Sequence, residues 1–284
     1  MNVALRQILV HLDATEASGA RLRAARLVAQ QHAATLTALY AASPSFVELA
    51  YARMIDPRVA PPLAEADEQR RQRARQAFDE VAADNSAATG VNLQWTETTE
   101  VPIIPAFAQQ AFHADLLVLG QHNPTDTSAA ALPPDFTQSV VIASGKPALV
   151  MPHVGTFTTI GETACIAWKP TREAARAVAA ALPLLQRARR VHVLQWGEEE
   201  RPAVEGQRLD LQGYLRLHGI EVQWHREGPE PDGMGEMILS RLCDLEGDLL
   251  VMGCYGHSRA RELVMGGASR TVLQSMTVPT LMSH

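Results

Sequence analysis

The chain has 284 residues, 46% of them hydrophobic and 20% charged, with a net charge of -6. That length suits two domains of moderate size, the apolar share excludes a disordered chain, and the acidic balance excludes a general nucleic-acid binder, which presents a basic face. No run approaches the roughly 18 apolar residues that cross a bilayer, and the three cysteines, Cys165, Cys243 and Cys254, are odd in number and lack metal-ligand spacing.

In chain order, residues 1–7 enter a strand directly, without the layout of a secretory leader, so the expectation is a cytoplasmic protein. Residues 8–12 form a continuous apolar strand, and Thr15 is placed to cap the helix that follows, with Leu22, Ala25, Val28 and Ala29 on its apolar face. A second strand spans 35–40. Residues 65–84 make a polar, Arg- and Glu-rich helix whose core stripe is Ala74, Phe78 and Val81, with Arg70, Arg71, Arg73 and Arg75 on a solvated face of intrahelical pairs. Strand 93–98, helix 103–112, strand 116–119, helix 136–143 and strand 148–151 complete the first series. After a linker, a second series follows: strand 164–168, helix 171–185, strand 191–196, helix 204–217, strand 222–224, helix 234–245, strand 249–252, a helix from 271 to 276 and strand 280–282.

The two series are repeats. Asp115 and Asp248 head matching Asp-Leu-Leu-Val segments 133 residues apart; Gly90 and Gly219 open matching strands 129 apart; Pro147 and Pro279 precede matching last strands 132 apart. A weaker match pairs the first strands at Gln7 and Thr163, 156 apart, so the first repeat carries extra chain, around 43–62. Strands alternating with helices imply right-handed crossovers and a parallel sheet covered on both faces. The domains read as 1–153 and 162–284, joined by a linker at 154–161.

One constellation points at a ligand. The apolar strand ending at Met252 runs into Gly253-Cys254-Tyr255-Gly256; nine residues later come Gly266-Gly267-Ala268-Ser269-Arg270 and a helix. Glycines admit an anion to the backbone, and a helix start offers unpaired N–H groups. The other reading of the same glycines is a tight turn with close helix–sheet packing. Nearby Arg259, Arg261 and Arg270 suit phosphate.

These motifs, the duplicated strand–helix pattern and the Val-Pro-Thr-Leu-Met-Ser-His ending together resemble the universal stress protein family in its tandem-domain form. The resemblance implies two flavodoxin-like (adenine-nucleotide-hydrolase-like) α/β domains, each a five-stranded parallel sheet flanked by helices. It also implies that ATP or AMP, with or without Mg, is held through Gly-x2-Gly-x9-Gly-(Ser/Thr). Carried onto the second repeat, the binding residues are Met252, Gly253, Gly256, His257, Arg259, Gly266, Gly267, Ala268 and Ser269, with Ala167 and Lys169 at the end of its first strand. The repeat departs from the family pattern twice. Gly267 stands where the family has Ser or Thr, with Ser269 placed to supply the hydroxyl, and Lys169 stands where the family has Asp.

The first repeat keeps Asp13 and Gly120, but Asn123, which tolerates a left-handed backbone, replaces the second glycine. Pro133, Pro134 and Asp135 stand where the second repeat has its glycine pair; proline removes donors and Asp135 repels an anion while capping its own helix. This half is expected not to bind nucleotide. The ten histidines show no zinc-type spacing, so no metal site is expected; His11, His192 and His225 read as packing residues, as do Trp95 and Trp224, and 198–200 reads as a solvated acidic loop.

Three functions stay open: a nucleotide-binding stress-response protein, a nucleotide-free interaction protein formed as an intramolecular pseudo-dimer, and an enzyme, either a slow ATP hydrolase or a nucleotidyl transferase. Glu262 is the single carboxylate from 253 to 270, which counts against a dedicated enzyme. Residues 148–151 and 280–282 are expected to cover each other's sheet edges; a further homodimer is compatible, and neither nucleic acid nor membrane is expected as a partner.

Overall fold

A computed structural model describes residues 4–45, 60–84, 90–197, 209–254 and 267–284. By internal packing the chain divides into two units: residues 5–146 with 153–158, and residues 147–152 with 159–284 and Ala4.

The first unit contains β1 (Gln7–Leu12), α1 (Ala17–His32), β2 (Thr35–Ala41), α2 (Ala60–Ala83), β3 (Leu93–Thr98), α3 (Ile103–Ala111), β4 (Leu116–Gly120) and α4 (Phe136–Ser144). Its strands lie in the order β3-β2-β1-β4, all parallel. Strands β1 and β4 are inaccessible along nearly their whole length, as expected of continuous apolar runs in a sheet covered on both faces. Ala74, Phe78 and Val81 are the buried stripe of α2. Phe78 meets Trp95 edge-on, Trp95 stacks with Tyr40, and Arg75 lies 5.2 Å over both the Phe78 and Trp95 rings. The charged face of α2 carries the expected pairs Arg70–Asp67, Arg71–Glu68 and Arg75–Asp79, and Arg71 also forks onto Glu97 of β3.

The second unit contains β5 (Ala148–Met151), β6 (Thr163–Trp168), α5 (Arg172–Leu185), β7 (Arg190–Gln195), α6 (Leu211–Leu217), β8 (Gln223–Arg226), α7 (Met234–Asp244), β9 (Leu249–Gly253), α8 (Ala268–Ser275) and β10 (Thr280–Ser283). The strand order is β5-β10-β9-β6-β7-β8. All neighbours are parallel except β5 and β10, where Val150, Leu149 and Ala148 face Thr280, Leu281 and Met282 antiparallel. The last strand of the first repeat is thus paired with the last strand of the second.

Helix starts differ from the expectation in several places. The helix expected over 204–217 begins at Leu211, because the Asp210 side chain accepts from the Gly213 N–H at 2.6 Å and stops it there; 204–208 lie outside the described residues. Thr15 does not cap α1: its N–H and hydroxyl both turn back onto Asp13. The helix expected from residue 271 starts three residues earlier, at Ala268. No helix among the described residues is long and apolar enough to cross a membrane, and no cluster of three or more metal-ligating side chains occurs among them.

Candidate functional site

In a doubly wound sheet, ligands bind beyond the carboxyl ends of the strands where the winding direction reverses. Here those points lie between β6 and β9 in the second unit and between β1 and β4 in the first.

At the first of these points Ala167 pairs with Met252, and Gly253 ends β9. A Cβ on Gly253 would stand 2.6 Å from the Glu173 carbonyl carbon and overlap the Ala174 nitrogen. Only glycine lets the start of α5, capped by the Thr171 hydroxyl on the Ala174 N–H, reach the strand end this closely. Glycine here therefore serves close helix–strand packing, whatever else it does. At α8, Gly267 is the N-cap and, as glycine, has no side chain with which to cap the helix. Ser269 is the second residue of α8 and is buried, so the helix starts one residue before the hydroxyl. Gly256, His257, Arg259 and Gly266 lie outside the described residues.

Two carboxylates missed by the sequence reading stand beside these positions. Glu173, buried in the first turn of α5, pairs with Arg172; its signal was an acid two residues after a Thr cap. Glu230 pairs with Lys169 at 2.7 Å, and its Cγ lies 3.5 Å from where a Gly197 Cβ would stand, at the end of β7. Sequence distance, 61 residues, hid that pair. Both partners are about half exposed, so the pair is weak and readily exchanged.

The other reversal point holds a cavity of about 70 Å³, lined wholly by the first unit. On its wall Asp13 is buried and fully engaged: Arg21 Nη2 lies 3.1 Å away, His11 Nδ1 3.6 Å, and the Thr15 N–H and hydroxyl both donate to Oδ1. Burial alone would raise the Asp13 pKa, but Arg21, His11 and the Thr15 bonds outweigh it and hold the carboxyl at about 2. His11 is pushed down to about 4 by burial, with Arg21 adding to that and Asp13 opposing it. Its Nε2 donates to the Ala41 carbonyl at 2.8 Å. Arg21 Nε donates to the His11 carbonyl, and its guanidinium rests on Gly120, where a Cβ would overlap Nη1. Arg21, which the sequence reading did not single out, sits where Ala177 stands in the other repeat at the first-strand offset.

Asn123 has no positive φ; its Oδ1 instead accepts from the Thr125 N–H and hydroxyl, an Asx turn. Asp135 is the N-cap of α4, but its carboxylate accepts from the Ser139 hydroxyl and not from a backbone N–H.

The model of the universal stress protein family matches residues 4–152, just over half of the chain. The chain belongs to the universal stress protein family. The crystal structure of a universal stress protein from Archaeoglobus fulgidus DSM 4304 superposes with a TM-score of 0.69 at 15% identity, covering 99% of this chain and 98% of that one. A Pseudomonas aeruginosa UCBPP-PA14 structure described as a universal stress protein gives 0.53 at 16%, covering 99% and 93%. At these identities the likeness is one of fold, and it spans the whole tandem chain. No curated protein sequence matches it. The family match falls on the first repeat of this universal stress protein, the half without the glycine pair.

Proposed function

We propose that this universal stress protein binds an adenine nucleotide, ATP or AMP, through its second domain (162–284), while its first domain (1–153, joined by the linker 154–161) binds none. The observation that supports this reading is the β6–β9 reversal point, where Gly253 ends its strand and α8 opens at Gly267, an N-cap residue with no side chain of its own. A helix start at glycine offers N–H donors and a partial positive charge to phosphate. Met252, Gly253, Gly256, His257, Arg259, Gly266, Gly267, Ala268 and Ser269 would hold the phosphates, with Ala167 and Lys169 toward the nucleoside. Lys169 would exchange Glu230 for the ligand. Bound nucleotide then biases the conformation or partner choice of a stress-response protein; hydrolysis, with or without Mg, is at most slow. The first domain lacks this capacity because Pro133 and Pro134 remove donors and its cavity is far below nucleotide size.

Native mass spectrometry of gently purified protein, followed by ATP titration of wild type and Gly266→Asp, tests this. Wild type is expected to carry or take up adenine nucleotide, and the variant to lose it. An empty wild type with no uptake at millimolar ATP sinks the reading. The antiparallel β5–β10 pairing favours the alternative that would then stand: a nucleotide-free interaction protein whose repeats pair within one chain.

A further inference from the structure

We propose that Arg21 is the resident ligand of the first domain: its guanidinium fills a cation site built on Asp13 and so closes the β1–β4 reversal point to outside molecules. This deepens the reading that the first domain takes no nucleotide, and it rests on that part of the reading. The first observation is how completely the guanidinium is enclosed. Arg21 is 4% exposed. Its Nε donates to the His11 carbonyl at 2.8 Å, and Nη2 lies 3.1 Å from Asp13 Oδ2 and 3.3 Å from the Ser18 hydroxyl. Nη1 rests against Gly120, where a Cβ would overlap it. Glycine at the end of β4 therefore makes room for a side chain, whereas glycine at the end of β9 makes room for the backbone of α5. The helix after β1 brings the occupant with it, and Ala177, at the corresponding place in the second repeat, brings none.

Charge says what kind of site this is. The cavity of about 70 Å³ beside the guanidinium is lined by three acids, Asp13, Glu16 and Asp126, and among the described residues Arg21 is the one Arg or Lys in its wall. Glu16 is exposed, where solvent screens it; Asp13 is buried, where only a close counter-charge offsets the lost hydration. His11 does not supply that charge. Its Nε2–H is committed to the Ala41 carbonyl, and burial holds its pKa at about 4, so the ring stays neutral. Thr15 gives Asp13 hydrogen bonds but no charge. Without Arg21, the crevice suits a planar cation with N–H donors, a guanidinium or amidinium, and repels phosphate. Tethered on α1, Arg21 meets that demand at an effective concentration that a free ligand does not match. This closure is separate from the loss of donors at Pro133 and Pro134.

The test is chemical rescue in the full chain, without nucleotide. Arg21→Ala leaves a guanidinium-shaped cavity and strands the Asp13 charge, so its melting temperature should fall. Guanidinium chloride at about 50 mM, against sodium chloride at equal ionic strength, should raise the melting temperature of this variant by about 3 °C or more. In wild type the site is already filled, and the same addition should only lower the melting temperature, by about a degree at most, through its denaturing action. Tetramethylammonium, a cation without N–H donors, should not rescue. Asp13→Asn combined with Arg21→Ala keeps the cavity, removes the stranded charge and should lose the response. If Arg21→Ala does not fold unaided, guanidinium should restore its folding. Counted by native mass spectrometry, Arg21→Ala should take up no more ATP per chain than wild type, whether the second domain binds one or none. Failure of guanidinium to rescue Arg21→Ala, an equal rise in wild type, rescue by tetramethylammonium, or an extra ATP in the variant overturns the proposal.

Discussion

Asp13 and Lys169 follow corresponding strands in the two repeats and meet opposite partners. Asp13 has lost solvent and gained Arg21, His11 and Thr15; Lys169 keeps solvent and holds Glu230. Removing one member of the buried set strands a charge, whereas the exposed pair is worth about 0–1 kcal/mol. Acid stability should register the difference. With a folded pKa of about 4 against 6.5, His11 binds fewer protons folded than unfolded. Its contribution is complete above pH 6.5 and is lost as pH falls toward 4, by about 3 kcal/mol. Asp13, held at about 2 against 3.8, extends the loss below pH 3.8. His192, also lowered, chiefly by burial, acts in the same direction, so a single variant shallows the slope without flattening it. Urea unfolding of wild type and His11→Asn from pH 7.5 to 4.5 should show the shallower slope in the variant; equal slopes would mean that His11 titrates normally. Asp13 and Gly120 were legible as site positions from their places after apolar strands. Arg21, Glu173 and Glu230 were not, since what each does depends on a neighbour that only tertiary packing supplies.

Among the elements, the strands were the most legible, because a continuous apolar run bounded by turn residues is hard to satisfy any other way. Helix starts were less so, since some turn on which hydrogen-bond partner a single side chain takes. Thr15 could serve a helix or Asp13, and the carboxylate won; Asp210 took the Gly213 N–H and shortened α6. The junction of β9 with α5 should prove the least tolerant. Gly253→Ala drives a methyl into the first turn of α5 and should destabilise the protein by about 1–3 kcal/mol, by the usual cost of overpacking. Thermal denaturation measures this; an unchanged melting temperature would show that α5 shifts away freely.

For the molecule as a whole, the β5–β10 ladder means that part of the first repeat is built into the second unit. Leu149 is fully buried opposite Leu281. Leu149→Asp should therefore speed amide exchange in β9 and β10, elements of the other repeat, by burying an unpaired charge beside them. Hydrogen-exchange mass spectrometry over 249–253 and 280–283 measures it, and exchange raised only within 4–146 would refute the coupling.

The same ladder has a consequence for symmetry. In a two-fold homodimer, each contact position must suit its own copy, and any substitution occurs twice. Here Val150 faces Thr280 and Ala148 faces Met282, unlike residues across one seam. With both repeats in one polypeptide, a substitution changes one of them alone. A buried arginine at one reversal point and an exposed lysine at the other can therefore coexist in every molecule, at a fixed ratio of one to one.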